Sequence, residues 1–159
     1  MRHDSDRVAE PLVEHVRPLR HVSAAGPGVR AVLVERGMHL VAKRAFPAGA
    51  LVLELEGVLT STPDRYSVQV GPGQHIEPAQ GSDDADPRYL WRFLNHSCRP
   101  NAEFVGRQLI AIRPIRTGEE ITFDYETTEE TMAEPFRCHC GHCGGRLIQG
   151  WRASARTPS

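Results

Sequence analysis

Glycine and proline cut the chain from Val29 to Phe123 into short apolar or β-branched runs, and this punctuation limits what the segment can become. Residues 29–34, 40–43 and 51–55 are separated by Gly37 and by Pro47-Ala48-Gly49, a texture that reads as strands joined by tight turns. Residues 66–70 alternate, meet Gly71-Pro72-Gly73 and continue into residues 74–77, the pattern of a β-hairpin. Residues 103–105, 109–112 and 120–123 resume the short strands, separated by Gly106 and by Thr117-Gly118. Between these groups, residues 81–87 form an acidic loop and residues 88–94 have room for one or two helical turns. No repeat, low-complexity tract or long helix is present, so the expected architecture is mainly β.

With 159 residues the chain is the size of one ordinary domain. An apolar fraction of 40% and a charged fraction of 25% are close to those of globular proteins, which argues against wholesale disorder. No apolar run approaches the roughly 18 residues of a membrane-span candidate. Residues 1–11 mix charges without an apolar stretch, so a secretory signal is not expected and the expected compartment is cytoplasmic. A net charge of -1 gives no global basic excess, and direct nucleic-acid binding is therefore not expected. Lys43 is the only lysine, an arginine bias of the kind found in GC-rich bacterial genes. Residues 1–28 carry interspersed charges and close on Gly26-Pro27-Gly28, which reads as a flexible N-terminal arm.

The four cysteines are Cys98, Cys138, Cys140 and Cys143. Three thiols packed as Cys138-x-Cys140-x-x-Cys143, in a chain without a secretory signal, favour a metal over disulfides. A tetrahedral zinc site takes four ligands, and Cys98 is the remaining thiol. His139 and His142 are alternative ligands, and a tail with free thiols is the bland reading.

Two further segments crowd polar chemistry beside apolar residues. Residues 93–101 read FLNHSCRPN, which alone is a polar turn after an apolar patch. Residues 118–125 read GEEITFDY, which alone is a strand ending in an aromatic pair around an aspartate. Taken in order, RFLNHSCRPN, GEEITFDY and FRCHCGHCGGRLIQG resemble the SET domain followed by its cysteine-rich post-SET segment. The resemblance extends upstream through residues 37–42, 46–49 and 54–57, and covers residues 29 to 150.

The resemblance implies a β-clip-like fold of several small sheets with a threaded, pseudoknotted C-terminal segment and a zinc-binding post-SET tail. It divides the chain into the arm (1–28), a SET domain (29–134), a post-SET zinc segment (135–150) and a C-terminal tail (151–159). It implies S-adenosylmethionine as cofactor, held by Gly37, Met38, His39, Asn95, His96 and Tyr125. Tyr125, Tyr66 and Phe123 take the catalytic and lysine-channel positions, and Cys98, Cys138, Cys140 and Cys143 bind Zn2+. The implied activity is methylation of a protein lysine, with water taking the amine proton. Phenylalanine at position 123 points to more than one methylation round. A weakly active or inactive SET-like peptide-binding module is the alternative.

This sequence departs from the family at His39, where a second glycine is usual, and at Leu55, where a tyrosine is common. Two residues rather than four separate Cys140 from Cys143, and the stretch from Gly57 to Arg88 is short. Between Glu119 and Glu134 lie Glu119, Glu120, Asp124, Glu126, Glu129, Glu130 and Glu134 with no basic residue. That tract either rims the channel and attracts a Lys/Arg-rich partner, such as a histone, a histone-like protein or a ribosomal protein, or is a solvated loop. Monomer and homodimer are both compatible with the sequence.

Overall fold

The computed structural model describes residues 28–156, with the backbone alone for residues 155 and 156. The arm expected over residues 1–28 lies almost wholly outside the described residues. In chain order the strands are β1 (Val29–Val34), β2 (Gly37–Ala42), β3 (Leu51–Glu54), β4 (Val58–Thr60), β5 (Val68–Gly71) and β6 (Gln74–Glu77). After a 3-10 helix at Pro87–Phe93 come β7 (Asn95–His96), β8 (Ala102–Val105), β9 (Gln108–Ala111), β10 (Thr122–Phe123), β11 (Phe136–Arg137) and β12 (Leu147–Ile148). The described chain ends in a helix, α1 (Trp151–Arg156).

The strands form several small sheets, as expected. β1 and β2 make an antiparallel hairpin that pairs Val34 with Gly37 around Glu35-Arg36, and Gly37 at φ 116° takes a conformation open to glycine. β3, β9 and β8 form one antiparallel sheet in that order, and β4, β6 and β5 form another. β11 pairs with β12, while β7 and β10 run parallel. Among the described residues, no helix is long and apolar enough to cross a membrane.

The 3-10 helix begins where Asp86 accepts a hydrogen bond from the Arg88 N–H and Pro87 occupies the first turn. It buries Tyr89, Leu90, Trp91 and Phe93, and the Trp91 indole donates to the Glu56 carbonyl at 3.1 Å. Leu40, Phe46, Ile76, Leu109, Ile115 and Ile121 are fully buried and belong to the same core cluster as the 3-10 helix residues.

One crossing positions the site. Residues 118–121 hydrogen-bond along β2, with Gly118 N–H to Ala42 O at 2.8 Å and Ile121 N–H to Leu40 O at 2.8 Å. Thr122 and Phe123 then pair with Asn95 and His96 on their other side, and Ser97 N–H donates to Phe123 O at 3.1 Å. The returning chain is thus inserted between two earlier stretches, an arrangement of the threaded kind that is rare among folds. Asn101, 2% exposed, fastens it: the amide donates to Glu120 O at 2.8 Å and its oxygen accepts from Thr122 N–H at 3.0 Å.

One local expectation is corrected. The alternation over residues 66–70 predicts a strand from Tyr66, but Asp64 Oδ1 accepts the Tyr66 N–H at 2.8 Å and holds an Asx-type turn, so β5 starts at Val68. The C-terminal tail, 151–159, contains α1. Its free N–H groups at Trp151 and Arg152 donate to Glu129 O and Glu130 O, partners distant in sequence that no local pattern announces.

Candidate active site and metal centre

The parallel β7–β10 pairing brings Tyr125 against the residues that precede Asn95. The Tyr125 hydroxyl donates to Leu94 O at 2.6 Å. The Asn95 amide donates to Met38 O and to Glu120 Oε2, both at 3.0 Å, so it ties the β1–β2 hairpin to the inserted segment. Around these groups opens a cleft of about 730 Å³ whose lining includes His39, Tyr66, Asn95, His96, Phe123 and Tyr125. Gly37 and Met38 do not line it; Met38 reaches it only through the carbonyl that holds Asn95. The imidazole of His39 lies in the lining with Nδ1 3.4 Å from Glu120 Oε1, drawn toward that carboxylate.

Tyr125 sits in an aromatic cage. Its ring centroid is 4.9 Å from Phe123, 5.3 Å from His96 and 5.8 Å from Phe136, and Phe104 stacks edge-on behind Phe123 at 4.9 Å. Burial, then the negative charges of Glu129 and Glu120, push the Tyr125 phenol well above its ordinary range. The phenol therefore remains a proton donor at neutral pH. The His96 side chain is 1% exposed, and burial holds its pKa below the usual value against the pull of Asp124. Nδ1 of this neutral ring accepts the Tyr125 backbone N–H at 3.1 Å, which assigns the ring hydrogen to Nε2.

Nε2 in turn faces Cys98 Sγ at 3.4 Å, and Cys98 opens the second site. The sulfurs of Cys98, Cys138, Cys140 and Cys143 all lie within 4.8 Å of one another, with Cys98–Cys138 at 3.7 Å and Cys140–Cys143 at 3.8 Å. Tetrahedral bonding to a metal at about 2.3 Å leaves sulfurs about 3.8 Å apart, so the four thiols fit such an ion. Backbone N–H groups converge on them: Cys140 donates to Cys138, His142 to Cys140 and Arg146 to Cys143, at 3.3 to 3.4 Å. The N–H of Cys98, with that of His142, draws Cys140 down to about 6, whereas burial pushes Cys138 up to about 12. His139 and His142 stand outside the four-sulfur group.

The acidic tract has no single role. Glu119 accepts the Arg116 N–H, Glu126 pairs with Arg146 and Glu130 with Arg152. Glu120, Glu129 and Glu134 line the cleft. Glu126 is a clamp: one oxygen takes Arg146 Nη1 at 2.7 Å, the other takes Gln149 N–H, Gly150 N–H and the Ser154 hydroxyl at 2.7 to 3.0 Å. Gly150 fits there because a side chain at this position would lie 2.5 Å from Glu130 O. Glu120, Glu126, Glu129, Asn101 and Phe136 fall within the quoted motifs or the acidic tract, but none of them has a role of its own legible in the sequence. A buried carboxylate and an exposed one look alike in a charge run, and only the fold separates them.

Comparison with known proteins decides the family. The sequence model of the SET domain matches residues 37–126. The chain belongs to the SET-domain family. Among curated relatives it is 39% identical to methyltransferase flvH of Aspergillus flavus over 117 residues, which cover 67% of this chain and 58% of that one. It is 31% identical to human histone-lysine N-methyltransferase 2B over 148 residues, 82% of this chain and 5% of the human protein. The chain thus spans little more than half of the first relative and a small part of the second. Among solved structures, KRYPTONITE in complex with mCHG DNA and SAH superposes with a TM-score of 0.53 at 25% identity, covering 73% of this chain and 27% of that one.

Within the SET domain the departures from the family pattern find local explanations. Leu55 is buried in the core at 4% exposure, where a phenol would need a partner. The shortened Cys140-x-x-Cys143 spacing still brings both sulfurs into the cluster because Gly141, Gly144 and Gly145 take positive φ in the turns around them.

Proposed function

We propose that this chain is an S-adenosylmethionine-dependent protein-lysine N-methyltransferase. The observation that carries the reading is the meeting of the Asn95 turn and the partly buried Tyr125 phenol in one cleft. S-adenosylmethionine supplies a methyl group on a positively charged sulfur. His39, Asn95 and His96, which line the cleft, are assigned to hold that molecule, with Met38 acting through the carbonyl that fixes Asn95 and Gly37 through the turn that places Met38. Tyr66, Phe123 and Tyr125 line the amine side, where aromatic walls suit the aliphatic stem of a lysine. Holding amine and methyl donor in line at near-attack distance is the main catalytic task.

Lysine must arrive at the reaction as the neutral amine, which at pH 7 costs roughly 4.6 kcal/mol from its ordinary pKa of about 10.4. An apolar cleft and a nearby positive sulfur both lower that cost. The raised phenol of Tyr125 does not take the proton; its hydrogen is held by Leu94 O, and its oxygen is left to accept a hydrogen bond that orients the amine or a C–H of the methyl group. Phe123, with no hydroxyl to hold a water, leaves space for a second methyl group. Zinc on Cys98, Cys138, Cys140 and Cys143 fixes the segment that carries Phe136 against the cleft.

The substrate proposed is a basic protein segment, in keeping with relatives named as histone-lysine N-methyltransferases, and the setting is cytoplasmic. A second reading, a SET-like module that binds a peptide without transfer, is favoured by one observation: an imidazole, His39, lines the cleft where the family has glycine. Calorimetric titration with S-adenosylmethionine, followed by transfer of labelled methyl to core histones, separates the two. Binding with transfer supports the enzyme; no uptake of S-adenosylmethionine removes it.

A further inference from the structure

Glu129 differs from the other carboxylates of its tract. It is 7% exposed, lines the cleft with Tyr125, and forms no ion pair with Arg or Lys among the described residues. Its Oε2 is fully engaged, accepting the Gln69 N–H at 2.7 Å and the Thr128 hydroxyl at 2.9 Å. Its Oε1 accepts no hydrogen bond among the described residues, and the nearest cationic candidate is His75 Nδ1 at 4.0 Å. That nitrogen is itself buried without a hydrogen-bond partner. Burial also raises the Glu129 pKa and depresses that of His75, so the two do not satisfy one another as an ion pair. Unlike His75 Nδ1, Glu129 Oε1 is not sealed from the cleft, so a cation that enters meets a carboxylate largely withdrawn from bulk water with one oxygen unpaired.

We propose that Glu129 Oε1 is the anionic recognition group of the cleft, selecting a side chain with a long apolar stem and an ammonium end. The stem fits the aromatic wall of Tyr66, Phe123, Tyr125 and Phe136, and the charge reaches Glu129. The inference rests on the lysine-methylation reading and adds what discriminates lysine from neutral side chains of the same length. Because an opposite charge favours the ammonium, Glu129 acts at entry, and loss of the proton follows once the sulfonium opposes it. Glu129 is a specificity residue rather than a base.

The probes are n-butylammonium, the head of a lysine side chain, and n-butanol, its neutral counterpart, each titrated against the Phe123 and Tyr125 ring resonances by NMR. The wild-type protein is expected to half-saturate with n-butylammonium at a concentration at least tenfold below that for n-butanol. Glu129→Gln removes the difference and Glu129→Asp keeps part of it. In methyl transfer to core histones, Glu129→Gln raises KM tenfold or more with a smaller change in kcat, and S-adenosylmethionine affinity stays within twofold. Equal response to both probes in the wild type, a cation preference that survives Glu129→Gln, or an unchanged KM overturns the proposal. The wild-type comparison stands even where the variant misfolds. If the wild type transfers no methyl group yet prefers the ammonium probe, the enzyme reading fails and the recognition site holds.

Discussion

The imidazole of His96 joins the two sites: Nδ1 accepts the backbone N–H of Tyr125 at 3.1 Å while Nε2 faces Cys98 Sγ at 3.4 Å. A metal on the four thiols and the placement of Tyr125 are therefore mechanically linked through one ring. Removal of the metal by a strong chelator is expected to destabilise the protein by at least about 3 kcal/mol, a fall in Tm on the order of 10 °C. It also shifts the Tyr125 ring resonances. Calorimetry and NMR before and after chelation check both; an unchanged Tyr125 environment in the stripped protein contradicts the link.

Glu126 fixes the post-SET segment and α1. Burial opposes its ionised form, but the Gln149 N–H, the Ser154 hydroxyl, the Arg146 guanidinium and the Gly150 N–H together keep its pKa below the usual carboxylate value. The stability it contributes is present above an unfolded pKa near 4.5 and is lost as pH falls through the lower folded value. Glu126→Gln is expected to cost about 2 kcal/mol at pH 7 and less once the pH has fallen through the folded pKa, which lies under 4.5. Denaturant titrations at the two pH values measure it; an equal effect at both speaks against the clamp.

Activity is expected to rise from about pH 7 to about pH 9 under conditions where chemistry limits the rate, because a larger fraction of lysine becomes neutral. Tyr125 stays protonated over that window, its phenol having been pushed up by burial, so the rise is not its titration. A flat profile would argue against a neutral-amine step.

Phe123 is 3% exposed and packed between Phe104 and Tyr125. Phe123→Tyr places a hydroxyl beside the amine, where it holds a water in the space of a second methyl group. Mass spectrometry is expected to find di- or trimethyl product with the wild type and chiefly monomethyl product with the variant. Monomethyl product alone from the wild type, at saturating cofactor and long times, sinks this expectation.

Much of this was readable in the sequence, for identifiable reasons. Strands such as Val29–Val34 and Gln74–Glu77 declare themselves because β-branched runs and flanking glycines are local properties. The convergence of Asn95 with Tyr125 is non-local, and only the order of the motifs pointed to it. Tyr66 was misplaced in a strand because the Asp64 side chain captures its N–H, a contact that competes with the sheet. α1 escaped because its first turn is satisfied by Glu129 and Glu130 carbonyls far back in the chain. The distinct fates of Glu120, Glu126 and Glu129 were invisible for the same reason: burial of a charge depends on what the fold lays over it.

The central claim is that the Tyr125 phenol orients a lysine amine toward a methyl donor in the same cleft. Its most direct test is transfer of labelled methyl from S-adenosylmethionine to core histones by the wild type and by Tyr125→Phe, with acid hydrolysis to locate the label. The account predicts label in methyllysine for the wild type, a loss on the order of 100-fold in the variant, and S-adenosylmethionine binding retained by both. Full transfer by Tyr125→Phe, or no methyllysine from a wild-type protein that binds S-adenosylmethionine, would contradict it.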